Sequence, residues 1–409
     1  MPTKQPASQI AEAGRRGKDV RSDCWVKITV ADAGGIDLQL KTKVEPMYGD
    51  SIRRLVAESL PALGVPHAKV EFEDAGALPF VLMARLEAVV RRLHGDAGQQ
   101  VATVPELLPE FEQHAQYPTT RDRFRRSRLY LPGNEPKFML NVGLHGPDGV
   151  IVDLEDSVAP SVKDEARVMV RNVLRSIDFK GAERMVRINQ GERGLVDLDF
   201  VVPHNVHVVL IPKVERPEQV TEVDKRIAAI LKARKIDRPV YLMPIVESAL
   251  GAIKAYEIAT ASPNICALTI GLEDYTADIG TQRTEDGRES FWARSQVVNA
   301  ARAAGVQPID TVYSDVGNME GLRDSVLEAK SLGFDGKGCI HPRQIRVIHE
   351  AFAPAEKELE KARKIVAAFE QAQAKGLGAV SLGSKMIDPP VVKRALRVVE
   401  LAEAMGGGS

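Results

Sequence analysis

Two acids, Glu247 and Asp274, each stand just beyond a short apolar run, VYLMPIV and CALTIGLE. Arg187 closes a third run in RMVRIN, and Lys213 a fourth in VLIPKVE. If these runs are neighbouring parallel strands, about 5 Å apart, the two terminal carboxylates can share one cation. Two carboxylates completed by water and substrate oxygens suit Mg²⁺, which keeps part of its hydration shell. No His-x-x-His or Cys-x-x-Cys spacing offers a softer site. An arginine beside such a cation reads as a clamp for a carboxylate. A lysine in the same place is a second anion contact or, if desolvated, a Schiff-base nucleophile. Each position also has a plainer reading. Glu247 can cap the helix SALGAIKAYEIA, Asp274 can be a loop acid, and Arg187 can make a strand-end salt bridge. Asp153, Glu155 and Asp156 crowd the end of another run, VDLEDSV. Acids this close need partners: a metal-bound water, a basic group or a helix N-terminus near Ser161.

The elements that must hold these residues are eight short apolar runs with polar ends. They are LYLPGN, GVIVDLED, RMVRINQ, VHVVLIPKVE, VYLMPIVES, CALTIGLED, PIDTVYSD and GFDGKGCIHP. Between most of them lies enough sequence for a crossover helix. Eight β-then-α units predict an α/β fold, a (β/α)₈ TIM barrel, whose site lies at the strand C-terminal ends. The barrel is expected over residues 125–350.

Residues 1–95 read as a small independent α+β domain. WVKITV and IDLQLKTKV alternate with the strand period and ADAGGID supplies a turn between them. SIRRLVAESLPALGV has helical spacing with Asp50 and Ser51 as caps. AKVEFED is a further strand, and PFVLMARLEAVVRRL presents Phe80, Met83, Leu86, Val89 and Val90 on one face. Residues 96–124 read as a linker, with an arginine run at 121–128. That run is either solvated or a contact for coenzyme phosphates; without interleaved aromatics it is a poor nucleic-acid site. Residues 351–409 give an amphipathic helix, a hairpin-like turn and a last helix. They are expected to cover the barrel mouth, or a neighbour's mouth, and to serve oligomerisation. The terminal GGGS stands apart from these elements.

At 409 residues the chain is long enough for two or three domains. It is 44% hydrophobic and 27% charged, with a formal net charge of −1. No global field therefore recruits nucleic acid or an anionic membrane. No apolar stretch reaches membrane-spanning length. The polar start, MPTKQPASQIAEAGRRGKD, lacks an apolar core of a signal peptide, and three scattered cysteines argue against a disulfide framework. A cytoplasmic protein is expected, with Cys266 and Cys339 as small core residues.

RSRLYLPGN, GVIVDLEDSVAPSVKDEAR, MVRIN, GLEDYTADIG, GFDGKGCIHPRQI and GSKMIDPPV resemble the citrate lyase β-subunit. That family extends to citryl-, malyl- and citramalyl-thioester lyases. The likeness runs from about Arg125 to the last helix. WVKITVADAGGIDLQL and YGDSIRRLVAESLPALGV are similar to the citrate lyase acyl carrier subunit. Residue by residue, the first resemblance implies Glu247 and Asp274 as Mg²⁺ ligands and Arg187 as the holder of the oxo-acid carboxylate. It also implies that Asp388 is an acid/base supplied from a neighbouring subunit, hence a homo-oligomer, a trimer or a multiple. Asp153, Glu155 and Lys213 join Arg187 as substrate-binding candidates. The second resemblance implies that Ser22 carries a phosphopantetheine-like arm of the phosphoribosyl-dephospho-CoA type. Arg-Ser-Asp-Cys stands where that family has Glu-Ser-Gly-Asp or Glu-Ser-Ser-Asp, which leaves a plain surface serine as the other reading. The implied reaction is Mg²⁺-dependent retro-Claisen cleavage of a citryl thioester, with a separate α-type transferase subunit loading the carrier. The alternatives are a lyase for free malyl-CoA or citramalyl-CoA, and a non-catalytic scaffold.

Overall fold

The computed structural model describes residues 9–95, 103–374, 380–382 and 385–406. The terminal GGGS from 407 onward, the first eight residues, and Gly383 and Ser384 lie outside the described residues.

The N-terminal unit runs β1 (Ile10–Gly14), β2 (Cys24–Val30), β3 (Ile36–Thr42), α1 (Glu45–Ala62), β4 (Ala68–Asp74) and α2 (Pro79–Leu93). Its sheet has the order β1-β2-β4-β3. The expected strands are present, but β2 and β3 are not hairpin neighbours. β4 lies between them, antiparallel to β2 and parallel to β3, with Phe72 opposite both Val26 and Leu40. Helix α1 starts earlier than Asp50 and Ser51 suggest, because Pro46 supplies the preset φ of a first turn. Ser51 lies inside the helix and donates to the Tyr48 carbonyl at 2.8 Å instead of capping.

This unit is not independent. Helix α2 is buried almost all round, with Met83 only half-buried. Leu82, Leu86, Val89 and Val90 pack on its own sheet, whereas Phe80, Val81 and Ala84 enter the core of the barrel domain. Buried ion pairs weld the seam. Arg85 donates to both oxygens of Asp23 (3.0 and 2.9 Å) and to Glu165 (2.8 Å) of the barrel domain. Glu87 receives two bonds from Arg171, at 2.9 and 2.6 Å.

Eight parallel strands then close a barrel: β5 (Ser127–Pro132), β6 (Gly149–Asp153), β7 (Glu183–Arg187), β8 (Val208–Ile211), β9 (Tyr241–Val246), β10 (Ala267–Ile270), β11 (Gln307–Asp310) and β12 (Gly336–Cys339). The connecting helices are α3 (Pro136–Met139), α4 (Lys163–Ser176), α5 (Gly191–Val201), α6 (Pro217–Arg234), α7 (Ala249–Ile253), α8 (Ala255–Ala259), α9 (Leu272–Asp278), α10 (Phe291–Ala304), α11 (Met319–Leu332) and α12 (Pro342–Phe352). The strands read as continuous apolar runs because both faces are covered. Ile151, Met185, Leu210, Met243 and Ile309 fill the interior, and a larger apolar layer lies beneath the helices. Cys266 and Cys339 are buried, and burial pushes their thiols up to about 11 and about 12.

The arginine run does not wait for phosphates. It lies at the barrel floor, the end where the strands begin. Arg121 and Arg123 donate to the Ile265 and Gly181 carbonyls, Arg125 pairs with Glu183 at 2.6 Å, and Arg126 with Asp148 at 2.8 Å. Arg128 is not linker at all but part of β5.

Helix α13 (Glu356–Ala374), the antiparallel pair β13 (Val380–Leu382) and β14 (Lys385–Ile387), and α14 (Pro389–Gly406) follow. They share a small apolar cluster of their own, including Ile365, Ile387 and Val392. The described residues of this segment pack at the floor end of their own barrel, away from its mouth. Glu358 pairs with Lys330 and Arg397 with Asp335, both at the floor end of the barrel. No described helix is long and apolar enough to cross a membrane.

Candidate active site

Strand register builds the mouth. Asp153 and Arg187 are the last residues of β6 and β7 and face each other as Cα partners. Their side chains therefore meet in a two-point pair, Nε to Oδ1 at 2.6 Å and Nη2 to Oδ2 at 2.7 Å. Asp153 is 1% exposed. Burial opposes its charge, but the Arg187 bonds prevail and hold its carboxyl below the usual range. The Arg187 guanidinium, half-buried beside it, is held above its usual value by the same pair. Its Nη1 lies 3.2 Å from Glu155. The crowded acids thus bind basic groups, and none caps the helix near Ser161.

Lys213 sits just past β8 with a left-handed backbone, φ +49°. In a non-glycine residue that conformation costs about 1–2 kcal/mol. It turns the Lys213 N–H onto Glu247 Oε2 at 3.1 Å. The side chain reaches Glu155 (3.0 Å), Asp156 (3.2 Å) and Asp274 (3.6 Å). Burial works against its charge, yet Glu155 and Asp156 raise its pKa. A lysine held protonated is a poor imine nucleophile.

Glu247 follows β9, and its carboxylate lies over Gly271 after β10, so that a Cβ there would press on the Glu247 side chain and shift its carboxylate. Glu247 is 6% exposed, and burial, then the negative charge of Asp274, push it up to about 7 despite Arg187. Asp153, Glu155, Asp156, Glu247 and Asp274 therefore crowd around Arg187 and Lys213 with excess negative charge. Among the described residues no cluster of three or more acids, histidines or cysteines forms a ready-made metal cage. Two carboxylates with room for water and substrate suit a hard cation that keeps part of its shell. The residues present fit Mg²⁺.

A cavity of about 400 Å³ opens here, lined by Glu247, Asp274, Arg187 and Asp153 together with Arg128, Tyr130 and Thr269. The last three were not singled out in the sequence. Strand alternation is the signal that points Arg128 and Tyr130 to the same side of β5. Arg187 stacks over the Tyr130 ring at 5.4 Å. Asp388 is not among the cavity residues. It is exposed and accepts from the Val391 N–H at the start of α14. Ser22 lies just before β2 with φ +56°, its N–H donating to the Ala75 carbonyl. Its neighbour Asp23 is held by Arg85, which also donates to the Asn134 carbonyl at the mouth end of β5.

The fold and this site define a (β/α)₈ lyase with a carrier-like domain fused in front. The chain belongs to the HpcH/HpaI aldolase/citrate lyase family, whose profile matches residues 126–342. Residues 14–93 match that of the malonate decarboxylase delta subunit, an acyl-carrier-like domain. The citrate lyase subunit beta of Escherichia coli K12 is 41% identical over 289 residues, 70% of this chain and 96% of that protein. The mitochondrial citramalyl-CoA lyase of Mus musculus is 36% identical over 296 residues, 69% of this chain and 87% of that protein. The crystal structure of CitE from Mycobacterium tuberculosis, in complex with magnesium, acetoacetate and coenzyme A, superposes with a TM-score of 0.58 at 31% identity. It covers 69% of this chain and 99% of that one. The chain is thus a carbon–carbon lyase.

Proposed function

We propose that this lyase splits a citryl thioester into oxaloacetate and an acetyl thioester by a metal-dependent retro-Claisen reaction. The observation that carries the reading is the surplus of carboxylate at the mouth, where Glu155, Asp156 and Asp274 surround Lys213 and burial, then the charge of Asp274, push the Glu247 carboxyl up to about 7. Glu247 and Asp274 would hold Mg²⁺, which when bound lowers the pKa of the substrate hydroxyl and neutralises its oxygen. Arg187, anchored through Nε and Nη2 on Asp153 and with Nη1 3.2 Å from Glu155, would turn its remaining N–H groups to the substrate carboxylate next to that hydroxyl. Anchoring matters because a preset guanidinium loses little freedom when substrate arrives. Glu155 holds Lys213 charged, so that Lys213 steadies Asp274 and adds positive charge near the oxo acid. The substrate hydroxyl releases its proton to water, its oxygen becomes the keto oxygen as the carbon–carbon bond breaks toward the thioester, and the enolate carbon is protonated by an acid. Asp388 of a neighbouring copy is that acid, since the chain's own Asp388 caps α14 away from the cavity. The enzyme is then a homo-oligomer, a trimer or a multiple of one, working in the cytoplasm.

Ser22 is the attachment point of a phosphoribosyl-dephospho-CoA arm, loaded by an α-type transferase subunit. The Arg85 link from Asp23 to Asn134 supports this, because it starts such an arm at the mouth side. A free-CoA lyase for citramalyl-CoA or malyl-CoA is the second reading. Its support is the sequence around Ser22, where Asp23 serves the domain seam. Intact-mass measurement from the native host separates the two: an added arm on Ser22 supports the carrier-bound substrate, and an unmodified chain the free CoA ester. The lyase reading itself is tested by incubating the purified chain with citryl-CoA and Mg²⁺. Oxaloacetate release that stops with EDTA is expected. No turnover with or without metal would remove this reading. Complete cleavage of free citrate by this chain alone would remove the transferase subunit.

A further inference from the structure

Buried arginines in this protein meet carboxylates. Arg85 does so with Asp23, Arg125 with Glu183, Arg167 with Asp197 and Arg171 with Glu87. Arg184 has no carboxylate partner among the described residues but donates to the Asn205 and Leu174 carbonyls and stacks on Phe179. Arg128 differs from all of them. It is 1% exposed, on the interior face of β5, and no carboxylate among the described residues lies within ion-pair distance. Its contacts are the Met243 sulfur at 2.9 Å, the Thr269 hydroxyl at 3.3 Å and the Asp310 carbonyl at 3.5 Å. Its Nε has no partner among the described residues. The nearby Asp310 carboxylate is already taken by Arg294 and Lys337. A buried cation with five donors and such weak acceptors is poorly compensated. Yet Arg128 lines the cavity that holds Glu247, Asp274 and Arg187.

We propose that Arg128 receives a second carboxylate on the oxo-acid half of the substrate and thereby makes the site selective for a citryl thioester. This rests on the lyase reading above and names its substrate class. The carbon that carries the hydroxyl bears a –CH₂COO⁻ group in a citryl thioester and a methyl group in a citramalyl one. Arg187 serves the carboxylate common to both. The extra carboxylate of citryl needs its own cation, and a guanidinium whose Nη groups meet only a thioether, a hydroxyl and a distant carbonyl can exchange these neutral acceptors for the fork that carboxylates bind. A methyl group would leave that guanidinium uncompensated, so the pocket works against citramalyl as well as for citryl.

The test uses the full chain with Mg²⁺ and the variant Arg128→Met, which keeps the length and removes the charge. kcat/KM for citryl-CoA should fall about 10- to 100-fold, the range set by a charge-assisted contact, while that for citramalyl-CoA holds or rises. Equal falls for both, or an unchanged ratio, overturn the proposal. Titration with oxaloacetate and pyruvate provides a readout that needs no turnover. The wild type should prefer oxaloacetate and the variant should lose that preference; no preference in the wild type overturns the proposal even if cleavage proceeds. If neither thioester is cleaved, the lyase reading fails, and this titration alone decides the role of Arg128. Melting temperature guards against a structural role: the Met variant should melt at or above the wild type, and a drop of many degrees overturns the proposal. Should Met aggregate, Arg128→Gln is read the same way.

Discussion

The two ends of the barrel use the same residue types to opposite effect. At the floor, Arg125 meets Glu183 through two nitrogens, 2.6 and 2.8 Å, while a third donates to Gln307; Thr119 adds a bond to the same Glu183. Asp148 takes the backbone and side-chain N–H groups of Arg126, each at 2.8 Å. Donors and acceptors balance there. At the mouth, four carboxylates, Asp153, Glu155, Asp156 and Asp274, share Arg187 and Lys213, and burial pushes a fifth, Glu247, up to about 7. Balance makes a foundation, and imbalance makes a site that a cation and a substrate complete. That division matches the general separation of stability and catalysis between the two faces of such barrels.

Breaking the mouth should have the largest effect and leave the foundation intact. Glu247→Gln or Asp274→Asn should cut turnover about 1000-fold, the scale of a lost metal contribution, without lowering the melting temperature. Loss of fold in the Gln variant would show that Glu247 is structural. Arg125→Met should do the reverse. It leaves Glu183 buried and unpaired and should cost about 3–5 kcal/mol in denaturant unfolding, while the folded fraction keeps its specific activity.

The two ends also separate by pH. His207 is 2% exposed at the floor, accepting from the Arg184 N–H and contacting the Tyr117 carbonyl. Burial, aided by the charge of nearby arginines, lowers it to about 3. Its folded pKa lies below the unfolded one of roughly 6.5, so the stability it contributes is present above that value and is lost as pH falls toward 3. The slope is about 1.4 kcal/mol per pH unit at most, and His207→Gln should flatten it in unfolding measured from pH 7 to 4. At the mouth the sign is opposite. The folded pKa of Glu247 is raised, so its unbound state gains relative stability as pH drops through about 7. Mg²⁺ must displace that proton, and its affinity should weaken about tenfold per pH unit below 7, as isothermal titration would read. A pH-independent affinity would sever Glu247 from the metal. The smallest effect belongs to the exposed tie of the C-terminal segment: Arg397→Ala should change unfolding by less than about 1 kcal/mol.

How legible this was in the sequence depended on the range of the interaction. The eight barrel strands were readable because each is a buried run ended by a polar cluster. The short β1 was not, since IAEAG sits in a polar stretch and becomes a strand by pairing with β2. The faces of α2 misled for a related reason: a helix clasped by two cores has no single apolar stripe. Arg128 looked like one member of a linker run, and its role as an interior residue depends on where β5 begins.

From its own residues the chain therefore determined a barrel of eight repeats and which side chains stand at the strand ends, because short-range alternation and punctuation carry that information. Tertiary structure alone decided that Asp153 grips Arg187, that Asp23 is tied through Arg85 to a helix of the barrel domain, and that Arg128 lies in the cavity with no carboxylate partner among the described residues. Those facts follow from strand register, barrel closure and domain docking, which bring together residues far apart in sequence, and no local pattern encodes such distances.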